Sequence, residues 1–310
     1  MSVGQPDEAP SLRRRRLGRI GTEVTTLSLG GAGLGGLYGP VSDEQATVAI
    51  NRAIDLGINW IDVSPFYGEA ERRLGMVLAA HGGLPAGLHV STKTGTHPKR
   101  HGDFSAEATR WSVENSLEQL GVDSVDLLLV HALDSMEPVL APGGALNELE
   151  RLREEGRIGG IGLGVRDHDF HRRAIASGRF DAILSYSDYT LVRQTAASLI
   201  SEAAAADVGV MLGRVLLVGL LSGDDPMADN ELAKDPDAEA ARGWWMWARE
   251  REVPLQALAL QFAMRNTEVA TVLVGAKTAE EVEQNVALAT YPISDEIWME
   301  VDERIARGDS

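Results

Sequence analysis

Short apolar runs rich in β-branched residues alternate with amphipathic stretches along almost the whole chain, and this alternation restricts the possible folds more than any other feature. It is the pattern of a parallel sheet covered by helices. After an N-terminal turn around Gly18 to Glu23, strands are predicted at Thr26 to Gly30, Ile58 to Val63, Leu88 to Lys93, Val125 to Val130, Ile158 to Gly164, Ala182 to Ser185, Gly209 to Leu212 and Val269 to Val274. Helix-like segments include Asp43 to Leu56, Ala106 to Leu120, Leu146 to Glu155, Gln194 to Ala206, Pro254 to Arg265 and Ala279 to Ala289. Ser42 with Gln45 reads as a capping box before the first of these, and Gly57, Gly121 and Gly156 stand where helices should stop. Eight strands separated by helices, with no linker-like boundary, predict an α/β fold. The expected form is one closed (β/α)8 TIM barrel with an N-terminal β-hairpin, residues 1–310 making a single domain and residues 1–14 a flexible tail. An open doubly wound sheet is the competing arrangement.

With 310 residues and 44% hydrophobic content, the chain can bury one large core. Its net charge of −17 argues against a nucleic-acid partner, because phosphate repulsion would have to be overcome by a local basic patch. Arg13 to Arg16 is the only such cluster and reads as a solvated hairpin strand rather than a binding arm. No cysteine occurs, which excludes disulfides, thiolate metal sites and cysteine nucleophiles. No apolar run approaches the roughly 20 residues that span a bilayer, and the N-terminus lacks the apolar segment of a signal peptide. A cytoplasmic protein without a membrane partner is expected.

Four ionisable residues, Asp62, Tyr67, Lys93 and His131, fall at or just past the ends of predicted strands. In a barrel the strand C-termini converge on one mouth, so residues far apart in sequence become neighbours there. A phenol normally titrates near 10, too high for ready proton exchange at neutral pH, unless a nearby cation stabilises the phenolate. Lys93 can supply that charge, and Asp62 can keep the ammonium protonated in a partly dry pocket. His131 can hydrogen-bond and orient the substrate oxygen. The other histidines show no metal-ligand spacing, so no metal site is expected, and His168 with His171 should face solvent. The run Gly30 to Gly36 is a weak dinucleotide-fingerprint match that reads better as a flexible loop at the mouth. Ser222 to Asp237, a long polar excursion, reads as a lid or solvent loop.

The chain resembles the aldo-keto reductase family from about Arg15 to about Thr290, and within it the branch containing aldose and fucose dehydrogenases. The carrying motifs are Leu17-Gly18-Arg19-Ile20-Gly21, Ile61-Asp62-Val63-Ser64-Pro65-Phe66-Tyr67-Gly68 with Glu71 and Leu74-Gly75, Ser91-Thr92-Lys93, the strand ending in His131, and Val274-Gly275-Ala276-Lys277 leading to Asn285. The resemblance implies an NAD(P)-dependent oxidoreductase that moves hydride between nicotinamide and a carbonyl or alcohol, with Asp62, Tyr67, Lys93 and His131 as its tetrad. It implies nicotinamide contacts at Gly164, Tyr186 and Gly213, with Tyr186 able to replace the stacking ring that Gly213-Arg214-Val215 lacks or Arg214 able to reach a phosphate, pyrophosphate contacts at Gly219 and Leu221, and a mouth loop with Ala32 and Gly33. Gly275, Lys277, Thr278, Glu281, Gln284 and Asn285 would hold the adenosine end, where a helix N-terminus beginning near Thr278 can receive phosphate. Gly164-Val165 stands where many relatives carry Ser-Asn, and Gly213-Arg214-Val215 replaces an aromatic-Ser-Pro sequence. Lys277 could pair with a 2′-phosphate and Glu281 would repel one, leaving NADP and NAD level as cofactors.

Pocket walls are expected from loops bearing Leu37, Tyr38, Phe66, His97, Leu133, Asp134 and the Ser222 to Asp237 excursion, while Trp244, Trp245 and Trp247 read as helix packing. The substrate leaning is a sugar-like hydroxyaldehyde or lactol. The alternatives are a generic NADPH-dependent aldehyde or ketone reductase and a non-catalytic nucleotide-sensing subunit on the same fold. Oligomeric state is left open.

Overall fold

A computed structural model describes residues 12–131 and 133–308. Strands β1 (Arg14–Arg16) and β2 (Glu23–Thr25) pair antiparallel as the N-terminal hairpin. Eight further strands follow: β3 (Leu27–Gly30), β4 (Trp60–Asp62), β5 (His89–Thr94), β6 (Val125–His131), β7 (Ile158–Gly164), β8 (Ala182–Tyr186), β9 (Gly209–Gly213) and β10 (Thr271–Gly275). They lie side by side in chain order, all parallel, and β10 closes the ring onto β3. This is the predicted barrel, not the open sheet. Of the tail expected over residues 1–14, residues 1–11 lie outside the described residues, and Arg14 pairs with Thr25.

Strand periodicity explains the two layers of core. Along β6, Leu127 and Leu129 point into the barrel, where they meet Trp60, Ala182, Leu184 and Met211. Leu128 and Val130 alternate with them and pack outward against the helices. Leu17 and Val24 of the hairpin segment enter the interior cluster, so the hairpin stoppers the end where strands begin. Only the opposite mouth is left for chemistry. Arg15 is not simply solvated: its guanidinium donates to the Met264, Asn266 and Val269 carbonyls at the end of helix Leu255–Arg265.

Helices Asp43–Asp55, Ala106–Leu120, Ala145–Glu154, Ala197–Ala205, Leu255–Arg265 and Ala279–Ala289 fall where amphipathic patterning placed them. The Ser42 capping box forms, Ser42 Oγ accepting from Gln45 N at 3.1 Å and Gln45 Oε1 accepting from Ser42 N at 3.0 Å. Three long helices were not predicted, Ala70–Ala80, His168–Ser177 and Asp295–Arg307, while Ala238–Glu250 is the helix that the three tryptophans implied. The first hides because Glu71 and Arg73 interrupt its buried face, and the second because it buries only His171 and Ala174. His171 is therefore in the interior, its Nε2 3.0 Å from the Val165 carbonyl, and not solvated as expected. Trp244 and Trp247 pack, as expected, in a satellite core with Leu220, Leu221, Leu258 and Phe262. No helix among the described residues is long and apolar enough to cross a membrane.

Candidate active site

Register brings the tetrad together. Asp62 on β4 stands opposite Ser91 on β5, and Lys93 lies two residues on, so Ser91 and Lys93 share the inward face at the level of one carboxylate. Ser91 Oγ donates to Asp62 Oδ1 at 2.7 Å and Lys93 Nζ donates to Asp62 Oδ2 at 2.6 Å. Trp60, two residues before Asp62, donates through Nε1 to Ser91 Oγ at 3.0 Å. The result is a buried chain, Trp60 to Ser91 to Asp62, with Lys93 on its far side. Lys93 is 0% and Asp62 2% exposed, a burial that an ion pair tolerates only when its remaining hydrogen-bonding capacity is met. Lys93 meets it by donating a second bond to the Val63 carbonyl at 2.8 Å. An ammonium has three donors, and the third is left for the Tyr67 side, where the ring centroid lies 4.8 Å from Nζ.

Tyr67 is placed by two loops locked against each other. A Cβ at Gly35 would sit 1.4 Å from the Tyr67 carbonyl oxygen, so only glycine lets the Gly30–Gly36 run pack against the Tyr67 turn. That run is a packing loop at the mouth, and Gly31 N donates to the Asp62 carbonyl at 2.7 Å. His131 ends the inward series Leu127, Leu129, and its Cα partner across the sheet is Gly164. Its Nδ1 lies against the Gly164 carbonyl. A Cβ on Gly164 would come within 3.1 Å of that nitrogen, which accounts for the small residue at this position.

The electrostatics correct one expectation and sharpen another. The Tyr67 phenol is held above its ordinary value of 10: burial raises it, and the downward pull of Lys93 does not overcome burial and the nearby Asp62. Lys93 thus acts in the expected direction, but the side chain rests as a neutral phenol rather than an acidified one. For Lys93 itself burial acts downward, and Asp62 with Tyr67 outweighs it, so the amine is raised and charged. His131 falls to about 4, chiefly through burial and then through Lys93, so its ring is neutral near pH 7. A carbonyl can only accept, so Nδ1 carries the ring's proton and Nε2 is left as an acceptor.

A cavity of about 470 Å³ opens at this mouth, lined by Asp62, Tyr67 and His131 together with Ala32, Gly33, Tyr38, Phe66, Tyr186, Gly213, Arg214, Gly219, Gly275, Lys277 and Glu281. Its lining fits an extended nicotinamide dinucleotide. Gly30, Gly31 and Gly33 bring main chain without side chains to one wall, Arg214 and Lys277 supply cations, and helix Ala279–Ala289 starts at its N-cap Thr278, between Lys277 and Glu281. Sequence reasoning missed Leu184, Val215, Leu216, Val218 and Leu273, which complete the walls.

Several expected contacts do not line this cavity. Gly164 seats His131, Leu221 is buried in the satellite core, and Gln284 is exposed and reaches Gln256 at 3.5 Å. Asn285 donates to the Gly275 carbonyl at 3.2 Å and so braces the wall from behind. His97 turns away to meet the Trp111 ring edge-on at 4.6 Å. Leu133, Asp134 and the Ser222 to Asp237 excursion are also absent from the lining. The excursion is instead tied back by Arg193 to Asp237 at 2.5 Å and Arg242 to Asp225 at 3.4 Å.

The sequence signature of the Aldo/keto reductase family matches residues 26–306. L-galactose dehydrogenase of Arabidopsis thaliana is 33% identical over 287 residues, covering 89% of this chain and 88% of that protein. D-threo-aldose 1-dehydrogenase of a Pseudomonas species is 31% identical over 311 residues, covering 91% and 94%. Among solved structures, an aldo-keto reductase of Bacillus halodurans superposes with a TM-score of 0.79 at 22% identity, covering 94% of this chain and 96% of that one, a likeness of fold.

Proposed function

Because this chain belongs to the aldo-keto reductase family and is therefore an NAD(P)-dependent oxidoreductase, we propose that it oxidises the C1 hydroxyl of a cyclic hemiacetal, such as an aldose, with NAD as the preferred cofactor. The observation that carries the reading is the buried Lys93 ammonium fixed between Asp62 and Tyr67. A nicotinamide dinucleotide held by the glycine-lined wall, Arg214, Lys277 and the helix N-terminus would supply the hydride acceptor. The chain's own residues handle the proton. In the oxidative direction the phenol first releases its proton to solvent, and the phenolate then takes the substrate's hydroxyl proton as the C1 hydrogen leaves with its electron pair; in the reverse direction the neutral phenol gives its proton to a carbonyl oxygen. Lys93 stabilises the phenolate at the moment it forms, and Asp62 keeps Lys93 charged.

His131 supports a substrate rich in hydroxyl groups. An Nε2 that accepts is complementary to a hydroxyl beside the reacting one, as a sugar provides, and offers nothing to a bare carbonyl oxygen. The relatives named as dehydrogenases of L-galactose and of D-threo-aldoses at C1 act on substrates that close to hemiacetals, and the exposed Tyr38 and Phe66 rings at the rim suit the C–H face of a sugar.

Glu281 supports NAD. Its carboxylate lines the cavity and accepts the Lys277 amide at 2.7 Å, placing a negative charge at the helix N-terminus where a 2′-phosphate would otherwise bind. The Glu281→Ala variant is expected to tighten NADP binding by about tenfold relative to NAD, on the order of 1.4 kcal/mol, measured by fluorescence titration with each dinucleotide. An unchanged NADP to NAD ratio would remove Glu281 from cofactor choice. The reading as a whole is tested by initial rates on D- and L-aldoses with NAD and NADP, with lactone product identified by mass. It fails if only NADPH-dependent carbonyl reduction is found.

A further inference from the structure

Trp60 and Ser91 are both fully buried on the inward faces of β4 and β5, where the apolar filling of the barrel meets the tetrad. An indole N–H and a hydroxyl are costly there unless each is satisfied, and a phenylalanine with an alanine would fill similar space without that demand. Burial alone does not call for the bond that Trp60 makes. Trp244, the other fully buried tryptophan, makes no indole hydrogen bond among the described residues, and neither does the buried Ser185 hydroxyl on β8.

The direction of the two bonds is fixed by chemistry. An indole nitrogen can only donate, so Ser91 Oγ receives from Trp60 Nε1 at 3.0 Å and has one hydrogen left to place. That hydrogen goes to Asp62 Oδ1 at 2.7 Å, while Lys93 Nζ donates to Asp62 Oδ2 at 2.6 Å. Both carboxylate oxygens therefore face donors. In a dry site a carboxylate and an ammonium can relax to a neutral pair by passing one proton across, which removes both charges from the interior. A donor on the far oxygen opposes that transfer, because a hydrogen bond to an ionised acceptor is roughly twice as strong as one to a neutral acceptor.

We propose that Ser91, oriented by the Trp60 indole, is a positioning residue for proton transfer at Tyr67: it keeps the Asp62–Lys93 pair ionic and so keeps a cation beside the phenol. The inference rests on the reading of Tyr67 as the proton carrier, and adds what holds the charge state of the pair behind it. Neither Ser91 nor Trp60 lines the cavity, so both act through Asp62 and Lys93. The other ionisable groups facing the pair and the phenol are Glu71 on helix Ala70–Ala80, His131 on β6 and Tyr38 at the mouth, none of which is altered in the variants that follow.

The test follows Tyr67 by ¹³Cζ-tyrosine NMR through a pH titration of the full chain, in wild type, Ser91→Ala, Ser91→Thr, Trp60→Phe, and Trp60→Phe with Ser91→Ala. Ser91→Ala is expected to move the Tyr67 titration to higher pH by about half a unit or more. It should lower kcat for aldose oxidation near pH 7 by about three- to tenfold, with dinucleotide affinity within about twofold. Trp60→Phe should shift Tyr67 in the same direction by less, and Ser91→Thr, which keeps the hydroxyl, should lie near wild type. The double variant should shift it no further than Ser91→Ala, because the two side chains act in series. A Tyr67 titration unmoved in Ser91→Ala overturns the inference even where the unfolding midpoint falls, since the serine would then be a core hydroxyl only. Additive shifts in the double variant also overturn it, since Trp60 would then act by a route other than Ser91. If Ser91→Ala does not fold, Trp60→Phe decides, and an unmoved titration there overturns the inference. Wild-type protein without aldose oxidation, but with the expected Tyr67 shift in the variants, overturns the proposed function and supports this inference; an unmoved Tyr67 in an active enzyme overturns this inference alone.

Discussion

Tyr67→Phe is expected to lower turnover of every active substrate by about 10²- to 10⁴-fold, the range that a positioned acid or base contributes. The phenylalanine ring keeps the face that Lys93 approaches at 4.8 Å, and the loop packing through Gly35 involves only the Tyr67 backbone. Dinucleotide affinity and unfolding midpoint should therefore stay close to wild type, which separates a lost proton carrier from a damaged fold. A variant retaining activity within about threefold would show that the proton travels by another route.

Asp62→Ala is expected to act on stability as well as on activity. It leaves a fully buried ammonium with only the Val63 carbonyl and the neutral Tyr67 side chain to face, and strips Ser91 Oγ of its acceptor. Breaking a buried pair by removing one partner costs about 3–5 kcal/mol, which urea unfolding would read as a lower midpoint at unchanged slope. Adding Lys93→Met should return much of the stability and none of the activity, because the uncompensated charge is gone while the phenolate still lacks its cation. A single variant as stable as wild type would mean that water reaches the pair. The pH sign follows from Lys93, whose folded-state value lies above its ordinary 10.5. A group raised on folding contributes fully at pH below 10.5 and loses that contribution only as pH climbs through the folded value. Lys93 is thus a source of alkaline lability and not of acid lability.

Most of the mouth was legible because a barrel converts strand ends into neighbours. Asp62, Lys93 and His131 each stop an apolar run, and that position alone announces a polar head at the rim. Ser91 was read only as part of the Ser91-Thr92-Lys93 motif and Trp60 only as a strand residue, so their hold on Asp62 was not foreseen; the two-residue spacings Trp60 to Asp62 and Ser91 to Lys93 were the available signal. Spacing could not give the sign of the Tyr67 shift, which burial decides. Nor could it show that His97 turns onto Trp111 or that Gly164 serves as a seat for an imidazole, since both depend on how loops and side chains pack across elements. Glu281 was read for its charge, but the Thr278-x-x-Glu281 pattern also announces a helix cap, and Thr278 Oγ1 accepts from Glu281 N at 3.3 Å.

The central claim is that Lys93, kept charged by Asp62, governs the proton on Tyr67. The chain has only 5 tyrosines, so ¹³Cζ-tyrosine NMR can follow each phenol through a pH titration, with Tyr67 assigned by its loss in Tyr67→Phe. The account predicts that the Tyr67 resonance titrates at distinctly higher pH in Lys93→Met than in wild type, with NAD bound in both. A Tyr67 titration that is the same with and without the ammonium would contradict it.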